Sequence, residues 1–285
     1  MHKDEALQRF VFMMEYRNLA PNTIHMYSWY LSNFLDYCSC EDVSVLSCHN
    51  AQQFIVHLKD RYAPMSLNAI ISGIRYFYEV VLEKPLTRRQ FPNIIYPQNE
   101  IFIFSNDQVR MLLASADIRL RAMIFLGIDA GLRVSEVAHL KVKDIDSKSS
   151  FKSIYIRNSK RNKSRKVPMS DSLHKILQEY WKVYRPDPNG YLFTGKDKSS
   201  HINQNYINNL FKNHLRSFDF YSDDIRFHNL RDTYATMMLR NGCNIFTLKK
   251  LLGHNSFSST ARYIKCDTSD LEEAPAISHE WGFSL

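Results

Sequence analysis

Apolar residues recur at helical spacing through the first 90 residues of the chain. A helix start signal at Pro21 and Asn22 is followed by apolar positions three or four residues apart. A second, more regular stripe ends near Pro85. The pattern predicts an N-terminal domain that is wholly helical. The apolar positions are Ile24, Tyr27, Leu31, Phe34 and Leu35 in the first stripe and Leu67, Ile70, Ile71, Ile74, Phe77, Tyr78, Val81 and Leu82 in the second.

The helical period disappears between residues 83 and 104, where three prolines interrupt the chain. Prolines and basic residues without an apolar period are typical of a linker. Ser105 and Gln108 then form a capping box that predicts the start of another helix. A length of 285 residues also favours two domains. We therefore predict a helical domain over 1–90, a linker over 91–104, a second domain over 105–265 and a tail over 266–285.

The second domain combines helical and extended patterns. The fold class is therefore predicted to be mainly α with a small β-sheet. Helices are predicted near residues 119–131, 171–184, 202–217, 228–240 and 245–252, and strands near 153–157 and 165–169.

The chain is basic, with a formal charge of +8 and a pI of about 9.1. Six cations fall within ten residues at the predicted strand pair, which is typical of a surface that follows a phosphate backbone, although a solvated hairpin is the alternative. The last 20 residues hold five acidic residues and no Lys or Arg, so the rest of the chain carries +13. The clustered cations are Arg157, Lys160, Arg161, Lys163, Arg165 and Lys166.

Five cysteines, an odd number, and the lack of a signal peptide predict reduced thiols in the cytoplasm. The longest apolar stretch covers residues 122–132, is interrupted by Asp129, and is too short to cross a bilayer.

Two arginines, two histidines and one tyrosine are the candidates for chemistry. A phosphodiester under attack gains negative charge on its non-bridging oxygens, so fixed cationic donors must face them. Arginine stays protonated and offers paired N–H groups that match two phosphate oxygens. A tyrosyl ester of phosphate has an energy similar to that of the broken bond, so resealing needs no ATP. The candidates are Arg133 in GLRVSE, followed by His228, Arg231, His254 and Tyr263.

Tyr263 needs a proton acceptor, because free tyrosine has a pKa of about 10. His228 and His254 are the candidates for this role. His228 and Arg231 are three residues apart, which places both on one face of a helix.

These residues resemble the tyrosine recombinase family, also called the phage integrase family. The family pattern is an Arg in GLRxSE, a hairpin Lys, HxxR, LLGH and a Tyr nine positions later. Five functional residue types match it in order over about 130 residues, which seldom happens by chance. The resemblance implies a helical core-binding domain and an α+β catalytic domain that clamp DNA. It also implies that Tyr263 forms a 3′-phosphotyrosyl bond and releases a 5′-hydroxyl.

The family's leaving-group acid is a lysine in a β-hairpin. The register set by Val167 and Pro168 places Lys160 on that position, with Lys163 as the alternative. Both glycines that flank the family's lysine are replaced here, so the turn must be built differently.

The resemblance also implies supporting roles. Glu136 in GLRVSE is expected to buttress Arg133, and Asp232, where many relatives carry histidine, is expected to orient Arg231. The polar side of the second N-terminal stripe and the basic hairpin are expected to contact DNA. The predicted DNA-binding residues are Asn68, Ser72, Arg75, Arg157, Arg161, Lys163 and Arg165.

The compact, Xer-like length indicates a recombinase that integrates, excises or resolves a mobile element or replicon. The expected partners are double-stranded recombination sites and three further protomers in a tetramer, identical or paralogous. Apolar residues within the acidic tail would dock on a neighbouring protomer. No cofactor or metal is expected. The alternatives are a type IB topoisomerase and a DNA-binding regulator without activity.

Overall fold

The structure, a computed structural model, describes residues 1–97, 101–159 and 163–264, with the backbone alone at 158, 159 and 163. The chain divides into two compact units, Met1–Asn99 and Glu100–Leu285. The predicted fold class is confirmed, because helices predominate and a three-stranded sheet lies in unit 2. None of the helices in the described ranges has the length and apolar character that a bilayer crossing requires.

Unit 1 is helical, as its apolar stripes predict. Two of its helices begin with proline, which suits the first turn because the N–H that proline lacks would have no helical partner there. The predicted stripes supply much of the buried core of the unit. The helices are α1 (Lys3–Tyr16), α2 (Pro21–Cys38), α3 (Cys48–Leu58) and α4 (Pro64–Val80).

The polar side of α4 is covered by the segment that follows the helix. The Asn68 amide donates to the Ile94 carbonyl at 3.0 Å and its oxygen accepts from the Ile94 N–H at 2.8 Å. Arg75 Nε donates to the carbonyl of Phe91 at 2.9 Å, and the Phe91 ring is buried in the core of unit 1. Ser72 donates to the Asn68 carbonyl at 2.8 Å.

These contacts bear on two predictions, the linker over 91–104 and the DNA contacts of α4. The first part of the expected linker is packed on unit 1, whereas Phe104 at its far end is buried in the core of unit 2. Asn68, Ser72 and Arg75 make hydrogen bonds within unit 1, and their expected contact with DNA stays a prediction. Both arrangements have one cause. Because Phe91 is buried in the core of unit 1, the segment after α4 lies against that helix, and the backbone groups of the segment then need polar partners.

Unit 2 contains the elements predicted for the second domain. The capping box is confirmed, since Ser105 Oγ accepts from Gln108 N at 3.2 Å and the Gln108 side chain accepts from Ser105 N at 2.9 Å. The helices are α5 (Asn106–Ser115), α6 (Ile118–Ile128), α7 (Val134–His139), α8 (Asp171–Tyr184), α9 (Gln204–Leu215), α10 (His228–Arg240), α11 (Ile245–Leu252) and α12 (Ser258–Ala261). The strands are β1 (Ile145–Asp146), β2 (Ser153–Ser159) and β3 (Lys163–Pro168).

The sheet is antiparallel in the order β1-β2-β3. Ile154 on β2 lies opposite Ile145 on β1 and opposite Val167 on β3, and both Ile154 and Val167 are buried. The predicted β2 and β3 are confirmed. β1 was not predicted, because two residues are too short to show an alternating pattern.

Helix α6 lies at the centre of unit 2 and packs against α8 and α10. Gly127 permits the close approach of α10, since a Cβ there would lie 3.0 Å from Cβ of Leu230. Gly131 follows the helix at a φ of +61°, where a Cβ would lie 2.4 Å from Cδ1 of Tyr234. These two glycines bring the start of α10 against the loop that leads to Arg133.

Replacing Gly131 by alanine should therefore destabilise unit 2 more than an ordinary glycine substitution. The left-handed backbone costs about 1–2 kcal/mol for a non-glycine residue, and the clash with Tyr234 adds about 1–3 kcal/mol. Gly242→Ala is the matched control, because Gly242 has a φ of +79° but open space around its Cβ position. Calorimetric melting of both variants measures the difference, and equal losses would contradict the role of Tyr234.

Candidate active site

One carboxylate, Glu136 on α7, holds two arginines and faces a third. Arg165 on β3 donates from both terminal nitrogens to the two Glu136 oxygens, each at 2.7 Å. Arg133 donates from its backbone N–H at 2.9 Å and from Nη1 at 2.8 Å. Nη1 of Arg231 lies 3.7 Å from Glu136 Oε2. We call this group of four residues the arginine cluster.

The helix start explains the spacing within GLRVSE. Arg133 precedes α7, and Glu136 stands at its third residue, from which a carboxylate can reach back to the unpaired N–H before the helix. The same carboxylate then faces the Arg133 guanidinium. One turn of helix therefore fixes both members of the pair.

The end of α11 supplies two further acceptors. Arg165 Nε donates to the Leu251 carbonyl at 2.6 Å, and Arg231 Nη2 donates to the Leu252 carbonyl. The last carbonyls of a helix lack helical partners and carry partial negative charge, so they stabilise cations. Gly253 then turns the chain at a φ of +64°, and a Cβ there would lie 3.1 Å from Nη1 of Arg165. The LLGH sequence thus combines two acceptors with the close turn that leads to His254.

Arg231 is completely buried. Its Nη1 donates to the Gly131 carbonyl at 2.5 Å, and its Nη2 lies 3.1 Å from Nε2 of His254. Burial and, less strongly, the charge of Arg133 lower the pKa of Arg231 to about 9 against the opposing effect of Glu136, so the guanidinium stays cationic at neutral pH. Its Nε is buried without a hydrogen-bond partner among the described residues.

His254 is neutral and its tautomer follows from its neighbours. Arginine only donates, so Nε2 of His254 must accept from Arg231, and Nδ1 then donates to Thr260 Oγ1 at 2.9 Å. Burial, followed by the charges of Arg231 and Arg133, lowers the pKa of His254 to about 3. Both ring nitrogens are therefore engaged by protein groups.

Tyr263 is buried, with 4% of its surface exposed. Its hydroxyl donates to Oδ1 of Asp232 at 2.7 Å, and Arg262 Nη2 donates to the same oxygen at 2.6 Å. His228 Nε2 lies 3.6 Å from that oxygen. Burial raises the pKa of Tyr263, and the charge and hydrogen bond of Asp232 raise it further, while Arg262 and Arg231 act in the opposite direction.

The arginine cluster has an excess of positive charge. Three guanidiniums around one carboxylate leave two cations without an anion, and the Arg133 side chain, 30% exposed, brings this charge to the surface. A fixed excess of this kind suits an anion whose charge grows during a reaction, such as a phosphodiester under attack.

The matches to known families follow the two units. Residues 100–269 match the Phage integrase family, and residues 6–88 match the N-terminal SAM-like domain of phage integrases. The chain belongs to the phage integrase family.

Relatives in this family match most of the chain. The tyrosine recombinase XerA of Pyrococcus horikoshii is 30% identical over 275 residues, covering 95% of this chain and 92% of that protein. The fold resembles the integrase of transposon Tn1549 bound to transposon right-end DNA, with a TM-score of 0.76, 16% identity and 95% and 98% of the two chains covered. It also resembles the XerH recombinase bound to its difH substrate, with a TM-score of 0.74, 19% identity and 94% and 82% covered.

In this phage integrase, the predicted site residues that the structure describes lie in two connected groups. Arg133, Glu136 and Arg231 lie in the arginine cluster, and His254 is bonded to Arg231. His228 and Tyr263 meet at Asp232. Helix α10 joins the two groups, because Arg231 of the first group and Asp232 of the second are consecutive residues on it.

In the basic hairpin, the structure describes the side chains of Arg157 and Arg165. Arg165 is only 7% exposed and its guanidinium is bound to Glu136 and Leu251, and its expected contact with DNA stays a prediction. Arg157 is half exposed, pairs with Asp144 and remains a candidate contact. Lys160 and Arg161 lie outside the described residues, as does the side chain of Lys163.

The sequence did not indicate two of these contacts, that of Arg165 with Glu136 and that of Asp232 with Tyr263. Arg165 is two residues from the buried Val167 on β3, so the two side chains share the inward face of the strand. This alternation is the feature of the sequence that could have indicated the burial of Arg165. Asp232 was expected to orient Arg231, whereas its bonds go to Tyr263 and Arg262. The spacing of four between His228 and Asp232 indicates their proximity on a helix, but the contact with Tyr263 is tertiary.

Glu136 should make the stability of the protein depend on pH. Burial alone would raise its pKa, but Arg165, the Arg133 N–H and Arg231 lower it from 4.5 to about 2. The stabilisation is thus complete above pH 4.5 and is lost as the pH falls towards about 2, amounting to about 3 kcal/mol. Thermal melting curves should therefore show that Glu136→Gln is less stable than the wild type at pH 4.5 and that this difference shrinks as the pH falls towards about 2.

The control is Glu179→Gln, which removes an exposed carboxylate from the same unit and should change stability by less than about 0.5 kcal/mol. A stability gap for Glu136→Gln that stays constant across this pH range would contradict the charged state assigned to Glu136.

Proposed function

We propose that this protein is a site-specific DNA recombinase that breaks and rejoins strands through a 3′-phosphotyrosyl intermediate. The observation that supports it most directly is the arginine cluster beside a buried tyrosine in a chain of the phage integrase family. The cluster supplies the fixed positive charge that the reaction needs, and the tyrosine supplies a nucleophile whose ester conserves the bond energy.

In the proposed reaction, Arg133 and Arg231 stabilise the non-bridging oxygens of the scissile phosphate. Arg165 and Glu136 do not touch the DNA and instead hold the other two guanidiniums in place. His254 is bonded to Arg231 and orients that guanidinium. Tyr263 Oη attacks phosphorus, and the departing 5′-oxygen takes a proton from Lys160 or Lys163. Attack by a 5′-hydroxyl on the tyrosyl ester then reverses the step.

The proposed partner is duplex DNA that contains recombination sites, in keeping with the DNA in the Tn1549 integrase and XerH structures. Assembly into a tetramer, identical or mixed, stays a prediction from the sequence, because the tail over 266–285 lies outside the described residues. A cytoplasmic location and integration, excision or resolution as the biological role are likewise proposals.

Two alternatives have distinct signatures. A type IB topoisomerase would relax supercoiled DNA without a specific site, and an inactive regulator would bind DNA without a covalent product. The similarity to proteins named tyrosine recombinases favours a site-specific recombinase over a topoisomerase and over an inactive regulator.

Tyr263→Phe should abolish covalent attachment to DNA while DNA binding is retained, because the attacking oxygen is the only atom removed. Wild-type protein is incubated with nicked genomic fragments from its host, trapped under denaturing conditions, and the attached ends are sequenced to obtain the site. Tyr234→Phe is the matched control, since it removes a hydroxyl from the same small buried cluster and should retain attachment. Attachment by Tyr263→Phe at the wild-type level would disprove the assignment.

The leaving-group acid is identified by a substrate whose bridging 5′-oxygen is replaced by sulfur. A thiolate leaves without a proton, so the sulfur substrate should restore cleavage to the variant that lacks the acid. We expect rescue of Lys160→Ala, and loss on the order of 100-fold or more with the oxygen substrate. Rescue of Lys163→Ala instead would transfer the role to Lys163, and rescue of neither would exclude both.

A further inference from the structure

The proton on Tyr263 Oη has a defined acceptor. In the described part of the chain, the hydroxyl donates to Asp232 Oδ1 at 2.7 Å. Neither His228 nor His254 makes a hydrogen bond to this hydroxyl among the residues that the structure describes, although both were candidates for the role. Asp232 is as buried as Tyr263, with 3% of its surface exposed, so the contact is shielded from water.

His254 is committed to other partners. Its Nε2 accepts from Arg231 and its Nδ1 donates to Thr260, so neither nitrogen is free to take the phenolic proton. Its ring lies nearly parallel to that of Tyr263, with centroids 6.4 Å apart, which is a packing arrangement.

His228 is placed beyond Asp232. It lies one helical turn before Asp232 on α10, with Nε2 at 3.6 Å from the same carboxylate oxygen, and its side chain is 51% exposed. The same oxygen of Asp232 therefore accepts from the buried phenol and lies close to an imidazole that reaches solvent. Arg262 completes the surroundings of the carboxylate, donating to Oδ1 and lying with its guanidinium carbon 5.0 Å from the centre of the Tyr263 ring.

We propose that Asp232 is a catalytic residue that accepts the proton of Tyr263 when the phenol attacks DNA, with His228 on the solvent side as the route by which that proton leaves. This inference rests on the proposed function. In the step, the proton moves from Oη to Asp232 Oδ1 while Oη bonds to phosphorus, and the bond from phosphorus to the 5′-oxygen breaks. That oxygen takes its proton from Lys160 or Lys163, and Asp232 gives up its own proton before the next turnover.

The experiment combines Asp232→Asn with a more acidic nucleophile. Asparagine has nearly the same shape but cannot take the proton, so covalent attachment to a nicked duplex bearing the recovered site should slow on the order of 100-fold or more. Placing 3,5-difluorotyrosine at position 263 lowers the need for a base, and it should remove most of the defect of Asp232→Asn. Asp232→His, which restores a basic side chain, should recover part of the rate with ordinary tyrosine.

Two outcomes would overturn the proposal. Attachment by Asp232→Asn at or above the wild-type rate would show that the carboxylate is dispensable or restrains Tyr263. Slow attachment without relief by difluorotyrosine would show a role in folding or geometry alone. Asp129→Asn is the matched control, because it makes the same substitution at a partly buried carboxylate elsewhere in unit 2 and should leave the rate unchanged.

A measurement without DNA separates this inference from the proposed function. Fluorine NMR of difluorotyrosine at position 263 should show ionisation at lower pH in Asp232→Asn than with Asp232 present, because a neighbouring anion opposes the phenolate. If this difference appears but the wild type attaches to no DNA, the proposed function fails. If the wild type attaches and the difference is missing, the role of Asp232 fails.

Discussion

The bidentate ion pair between Glu136 and Arg165 is the interaction on which the site depends. Three buried or partly buried guanidiniums in one region would repel one another and lose hydration, and a single carboxylate at their centre offsets both costs. Arg165 uses both of its terminal nitrogens on Glu136, which fixes the carboxylate in orientation as well as position. Glu136 in turn sets the direction of Arg133 and lies opposite Arg231.

The cluster also joins distant parts of unit 2. Glu136 comes from α7, Arg165 from β3 and Arg231 from α10, and the last two also bind carbonyls at the end of α11. Arg165 and Arg231 therefore act as structural ties, whereas Arg133 brings the positive charge of the cluster to the surface. The carboxylate and carbonyl partners of Arg231 offset the cost of burying its charge.

The hydroxyl of Tyr263 is bonded to an anion, in contrast to the positive charge of the arginine cluster. The hydroxyl donates to Asp232, which also accepts from Arg262, whereas the residue before Asp232 on α10, Arg231, belongs to the arginine cluster. One helix thus presents a cation towards the proposed phosphate position and an anion towards the nucleophile. Neighbouring residues on a helix point in different directions, and this lets Arg231 and Asp232 serve opposite purposes.

The sequence by itself determined the helical character of unit 1, the longer helices of unit 2, the β2–β3 hairpin, and the identity of five candidate residues. Periodicity, capping and motif spacing are local properties that a single chain displays. Only the tertiary structure decided that residues 91–94 cover α4, that Arg165 turns inward to Glu136, and that Asp232 meets Tyr263. These contacts join residues about 30 positions apart in the chain. Burial of an aromatic ring or pairing of a buried charge determines which residues meet, and a local sequence pattern does not contain that information.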